Sequence, residues 1–207
     1  RFISIYCDDL DALGHNESAY DTFSIAKSES QRVDNVVTRL AQIDAKLAEL
    51  IQACKDAGIY DKTTFFLTTD HGMQGFGAET DSWLDVLSSD YTKTKWPELK
   101  EKLAEINSKY VFEYVAQNKS PKSTTTVIGC GSGLQMPLTF KEAHTEAQLQ
   151  EIKAKLLEEY YIAEVLTRTE LAKLGFWMGS NVDLLVIPAE RYHFHGRDNS
   201  NNYYAVR

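Results

Sequence analysis

Asp8-Asp9-Leu10-Asp11-Ala12-Leu13-Gly14-His15 places three carboxylates and an imidazole within one short segment. Carboxylate oxygen and imidazole nitrogen together suit a borderline divalent cation such as zinc. Asp11 and His15 stand four apart, so a single turn between them brings both to one side. Gly14 lets the backbone fold there without a Cβ in the way. A second pair, Asp70-His71, follows the β-branched and aromatic run Thr64–Thr69 and precedes Gly72-Met73. Neighbours in an extended strand point to opposite faces, so these two share a metal only where the strand breaks, and Gly72 supplies a break. The competing structural readings are an acidic loop capping a helix, and a strand end turning through Asp and Gly. Two such groupings, each closing a predicted strand, favour ligands over either.

The elements that must position these groups read as a βαβ unit. Phe2–Tyr6 and Thr64–Thr69 have strand composition. Between them, about Ser30 to Ala57 predicts a long helix: Val33, Val36, Val37, Leu40, Ile43, Leu47, Leu50, Ile51 and Cys54 recur every three or four residues as one buried face. Gly58 falls where a terminating glycine belongs. Strand, helix, strand implies a right-handed crossover and parallel pairing, with both motifs beyond the carboxyl ends of the strands, where such sheets hold their sites.

Residues 79–120 read as helical in pieces, around Trp83 and Trp96, with an aromatic cluster at Tyr110–Tyr114 that is most simply packing surface. Two strands are expected about Gly129-Cys130-Gly131-Ser132-Gly133, a turn and not a phosphate loop, since it lacks the lysine and a following helix. Capping boxes at Thr145/Gln148 and Thr167/Glu170 open helices that run to about Tyr160 and Gly175. Between them lies a strand near Ile162–Leu166. Asp183–Ile187, apolar after its first residue, reads as a central strand. The expected fold is α/β, a mostly parallel sheet with helices on both faces. Residues 1–207 form a single partial domain, in which about 86–174 is an inserted or peripheral elaboration. Both ends, at Phe2–Tyr6 and Tyr203–Arg207, read as cut.

The net charge of −8 argues against nucleic acid, whose affinity comes from Lys and Arg. It leaves phosphate chemistry open, because bound cations supply local positive charge. No run is long and apolar enough to span a membrane. Cys7, Cys54 and Cys130 are odd in number and lack C-x-x-C spacing; each is expected as a small buried residue.

Leu10-Asp11-Ala12-Leu13-Gly14-His15 and Thr69-Asp70-His71-Gly72-Met73, separated by a long helix with an internal Asp44, resemble the nucleotide pyrophosphatase/phosphodiesterase (type I phosphodiesterase) family of the alkaline phosphatase superfamily. Ile162–Leu171 and Asp183–Pro188 extend the likeness downstream. The resemblance implies two divalent metal ions, zinc by the family's habit. Asp11 and His15 would hold one, Asp70 and His71 the other. It implies a small phosphate-ester substrate, hydrolysed at a phosphodiester or phosphoanhydride bond through a Thr or Ser nucleophile upstream of residue 1, so the chain itself is expected to be inactive. It also implies an extracytoplasmic protein. The resemblance is imperfect at Ser18, where the family has Gly. It calls for a further histidine in a His-Gly context: His195-Gly196 has that form but follows Asp183–Ile187 closely, and neither it nor His193 is assigned. Alternatives are a superfamily hydrolase of phosphonates, phosphomonoesters or sulfate esters, or a metal-free binding protein on the same scaffold. Ser18 and Thr22 are hydroxyls near the first motif with no activating base beside them; Arg191–Phe194 reads as a solvated loop and His144 as exposed.

Overall fold

The structure, a computed structural model, describes residues 2–16, 18–76, 90–116, 118–131, 133–176, 181–196 and 205–206. The helical reading around Trp83, Ser132, the Arg197–Asn199 part of the His-Gly run, and Tyr203-Tyr204 lie outside those residues. The chain divides into two compact units, residues 1–75 forming most of one and residues 84–205 most of the other.

In the first unit, α1 (Asp9–His15) packs on α2 (Glu29–Asp56). Ser28 caps α2 by accepting from the Gln31 amide, which answers one of the donors a helix start leaves open. At the other end Gly58 takes the left-handed conformation, φ 65°, and its N–H reaches Lys55 O. A single 3₁₀ turn (Tyr60–Lys62) follows. Gly75–Phe76 (β1) and Ala205–Val206 (β7) are two-residue strands.

The second unit holds a five-stranded sheet. After a 3₁₀ turn (Asp90–Thr92) come α3 (Trp96–Ile106), β2 (Phe112–Tyr114), β3 (Val127–Gly129), β4 (Met136–Phe140), α4 (Glu146–Leu156), β5 (Ile162–Thr167), α5 (Arg168–Lys173) and β6 (Leu184–Pro188). The order is β2-β3-β4-β6-β5. Only β2 and β3 run parallel; β3–β4, β4–β6 and β6–β5 are antiparallel. Met136, Leu138 and Phe140 alternate along β4 into a buried cluster with Leu99 and Leu103 of α3 and Leu149 and Leu156 of α4. Both predicted capping boxes form, side chain to amide in each direction. Residues 86–174 supply four of the five strands.

The expected mostly parallel sheet is corrected to a mixed, mostly antiparallel one. Phe2–Tyr6 and Thr64–Thr69 carry no ladder among the described residues, and Phe66 and Leu67 are each 90% exposed. β propensity reports that a segment fits a pleated surface, not that a partner strand is supplied. The predicted buried stripe of α2 is corrected with it: the helix forms, but Val33, Val37 and Leu40 are exposed and Arg32 is its buried residue. The cysteines also depart from expectation, Cys7 and Cys130 being exposed and Cys54 half-buried. Cys7 lies in the unladdered first segment, and Cys130 in the turn between β3 and β4. No helix among the described residues is long and apolar enough to cross a membrane.

Glu170 closes its capping box while also holding Lys153. It accepts from Lys153 Nζ at 2.7 and 2.8 Å and from the Thr167 amide at 2.8 Å. The Lys153 bonds first, then the amide, pull its pKa from 4.5 to about 2. A depressed folded pKa contributes stability that is present above the unfolded value and lost as pH falls from about 4.5 through about 2. The full shift corresponds to roughly 3 kcal/mol; partial exposure reduces this to about 1–2 kcal/mol. Urea unfolding of Glu170→Gln and the unsubstituted chain should differ by about that much at pH 7 and converge toward pH 2. Curves that stay parallel throughout would rule out this carboxylate as an acid-sensitive element.

Candidate metal centre

The first motif is set by α1. Seven residues of helix carry Asp11 and His15 on one face, a turn apart, with His15 Nε2 3.3 Å from Asp11 Oδ1. The helix ends at Asn16, which takes the left-handed conformation, φ 55°. Asn16 Oδ1 accepts from the Ala26 amide at 2.7 Å and Nδ2 donates to Ala26 O at 3.0 Å, tying the following loop back under α1. Sequence reasoning missed Asn16; its signal was an Asn directly after a helical segment, where αL is tolerated. Arg39 of α2 holds the same region, pairing with Asp21 at 2.5 Å and Asp9 at 3.5 Å. Arg32, paired with Glu29, also donates to Gly14 O at 3.4 Å.

The second motif is set locally. Thr69 Oγ1 donates to His71 O at 2.8 Å, and the His71 amide donates to Asp70 Oδ1 at 3.0 Å. These bonds turn the chain out of extension, which is the break that lets Asp70 and His71 face one side. Gly72 is not demanded sterically, since a Cβ there meets nothing within 4 Å. His71 Nδ1 lies 2.8 Å from Gly72 O, and a carbonyl only accepts, so the proton sits on Nδ1. Nε2 is thereby aimed at carboxylates, 3.6 Å from Asp70 Oδ2 and 3.8 Å from Asp11 Oδ1. The Gly72 bond first, then the Asp70 and Asp11 charges, raise the His71 pKa.

The four predicted residues therefore meet, with Asp11 Oδ1 between the two imidazoles. Ligands about 2.0–2.1 Å from a tetrahedral zinc lie about 3.3 Å from one another. The Asp11–His15 separation of 3.3 Å matches that edge, and an imidazole Nε2 facing two carboxylates is satisfied by a cation at Nε2, whether a proton or a metal. The donor set fits a divalent metal as pairs of ligands. Among the described residues no three His, Cys, Asp or Glu side chains are grouped to hold one ion.

The remaining candidates lie in the second unit. His193 is buried, its Nδ1 accepting from the His195 amide at 3.2 Å. The strand of chain they share is strapped down: Thr94 Oγ1 donates to His195 O at 2.5 Å, and the Lys95 amide donates to His193 O at 2.9 Å. Lys95 is itself buried, with Nζ donating to Asp90, Glu98 and Tyr160. Burial opposes its charge, but these bonds more than offset it and raise its pKa. Arg191–Phe194 is thus a partly buried strap and not a solvated loop. His144, expected exposed, is half-buried: Nδ1–H donates to Glu142 O at 2.8 Å and Nε2 accepts from Tyr110 Oη at 2.7 Å. Gly129 closes β3, and Gly131 and Gly133 lie in the connection to β4, as the composition of that run suggested; Gly133 O accepts from the Phe194 amide.

A family model described as type I phosphodiesterase / nucleotide pyrophosphatase matches residues 1–206. No curated protein and no solved structure matches the chain. Nearly the whole sequence is covered by that one family, including both motifs that meet at Asp11, and the chain belongs to the type I phosphodiesterase/nucleotide pyrophosphatase family.

Proposed function

We propose that the protein is a zinc-dependent hydrolase of phosphodiester or phosphoanhydride bonds, with Asp11 and His15 holding one divalent cation and Asp70 and His71 a second. The observation that carries this reading is the convergence of the two motifs on Asp11 Oδ1, 3.3 Å from His15 Nε2 and 3.8 Å from His71 Nε2. Family membership supplies the reaction class; the substrate and its leaving group are part of the proposal.

Divalent cations bound there would supply Lewis-acid polarisation of a phosphoryl oxygen and stabilise developing negative charge. The chain's own residues do the holding. α1 fixes Asp11 and His15 in one register, and the Gly72 carbonyl fixes the tautomer of His71, leaving Nε2 as the donor atom. Asp11 and Asp70 concentrate negative charge that would balance the cations. We assign none of the chain's hydroxyls as nucleophile; the carboxylate beside Thr22, Asp21, is paired with Arg39. We further infer one catalytic domain over residues 1–207, with about 86–174 as an elaboration, in a protein that works outside the cytoplasm.

Zinc titration of the 207-residue chain, followed by thermal unfolding, tests the reading. At about 100 times the dissociation constant, zinc should stabilise the chain by about 2.7 kcal/mol, raising Tm by about 5–10 °C. No upward shift would favour a metal-free binding protein. The zinc-loaded chain should leave bis(4-nitrophenyl) phosphate intact; turnover would show that a nucleophile lies within residues 1–207.

A further inference from the structure

We propose that Gly14 and Met73 are a positioning pair for the metal centre: the Met73 thioether occupies the place of a side chain at position 14 and sets the spacing between the α1 ligands and Asp70-His71. The inference rests on the metal-centre reading above and deepens it.

Gly14 is the residue before His15, in the last turn of α1, and it is buried. Its backbone is ordinary helix, so no positive φ calls for glycine there. Glycine inside a helix is unfavourable relative to alanine, and a position that keeps it needs a close approach of some other group. That group is Met73. A Cβ built on Gly14 would land on Met73 Sδ, with Met73 Cε 3.0 Å away and Cγ 3.7 Å away. The Gly14 carbonyl also accepts from Arg32 Nη1 at 3.4 Å, a further restraint on the seat.

Met73 is two residues beyond His71, and its seat matters because little else restrains that segment. Residues 55–72 are all exposed, and Met73 is the first after them to be partly buried. The hydrogen bonds of Thr68, Thr69 and His71 stay within residues 68–72. Among the described residues, the second motif approaches the first at His71–Asp11 and where the Met73 thioether lies against Gly14. An unbranched, polarisable side chain suits such a seat. A ligand pair displaced by a fraction of an ångström loses the geometry that a metal demands, and residues that orient ligands are worth about 10–100-fold in metal affinity.

Calorimetric zinc titration of the full chain, with metal-free Tm measured alongside, separates positioning from plain packing. Gly14→Ala should change the metal-free Tm little, because the helix preference for alanine is set against displacement of the flexible Met73 thioether, while weakening zinc binding about 10–100-fold. Met73→Ala should also weaken binding. The double variant, with a methyl on position 14 and the clashing thioether removed, should bind more tightly than Gly14→Ala alone. In the metal-free chain, a nuclear Overhauser contact between the Met73 methyl and the Gly14 α-protons should be present. Zinc binding unchanged in Gly14→Ala, no recovery in the double variant, or no such contact would each overturn the proposal while leaving the metal centre standing. An unsubstituted chain that binds no zinc would remove the metal-centre reading, and this inference with it.

Discussion

Asp183→Ala is expected to cost about 2–3 kcal/mol, the cost of removing a buried charged acceptor from its hydrogen-bond donors. Asp183 stands at the head of β6 and is nearly inaccessible, its side chain 7% exposed. One carboxylate oxygen accepts from the Phe140 amide at 2.8 Å, at the end of β4, and the other pairs with the Arg168 guanidinium. Its own amide donates to Leu138 O, and its carbonyl accepts from the Arg168 amide that opens α5. One residue thus joins β4, β6 and the start of α5. Alanine would leave the Phe140 N–H buried without an acceptor, which alone costs about 1–3 kcal/mol. Asp183→Asn keeps an acceptor for Phe140 and gives up the charge on Arg168, which is half exposed, so it should cost about 1–2 kcal/mol. Urea unfolding of both variants checks the order. An alanine variant no less stable than the asparagine one would mean that water replaces the carboxylate at Phe140.

The same residue shows how far the sequence could be read. Asp183 was visible as the polar first residue of an apolar run, and the run is the strand expected there. Burial on both faces is what such a run reports, and β6 does lie inside the sheet, between β4 and β5. Strand direction is a property of the pairing, and Leu184–Pro188 found antiparallel partners on both sides. The failure at Phe2–Tyr6 and Thr64–Thr69 has the same root, since composition describes one strand and a ladder needs two. Local signals fared better because their partners lie within a turn of chain. Thr145/Gln148, Thr167/Glu170 and Gly58 all formed what their spacing called for.

The site divides in the same way. Asp11 and His15 were legible because a helix turn is the one common geometry that unites positions four apart. Gly14 reads in the sequence as easing a backbone turn; its backbone is ordinary helix, and what a Cβ there would meet is Met73, far away in sequence. His71 was expected to turn at Gly72; the turn is instead made by Thr69 Oγ1 and the Asp70 carboxylate. Side-chain-to-backbone bonds of that kind are a recurrent use of Thr and Asp, and the Thr-Asp pair was the better signal.

Asp11→Ala should abolish most of the stabilisation by zinc, and should do so more completely than Asp70→Ala. The reason is the position of one atom. Asp11 Oδ1 approaches both His15 Nε2 and His71 Nε2, whereas Asp70 meets only His71 and is largely exposed. Removing Asp70 leaves the α1 pair intact as a partial site. Removing Asp11 takes a ligand from His15 and the nearest charge from the gap between the two motifs. If affinity falls 100-fold, zinc at about 100 times the original dissociation constant stabilises by about 0.4 kcal/mol in place of about 2.7 kcal/mol. Asp11→Asn tests charge against shape: its amide oxygen keeps one acceptor where the carboxylate stood but lacks the anion, so it should fall between the two. Thermal unfolding with and without zinc, run on all three variants at equal protein concentration, gives the ranking directly. Equal losses from Asp11→Ala and Asp70→Ala would mean two independent sites that share nothing. A full zinc shift retained in Asp11→Ala would remove Asp11 from the metal centre, and with it the reason for the two motifs to meet.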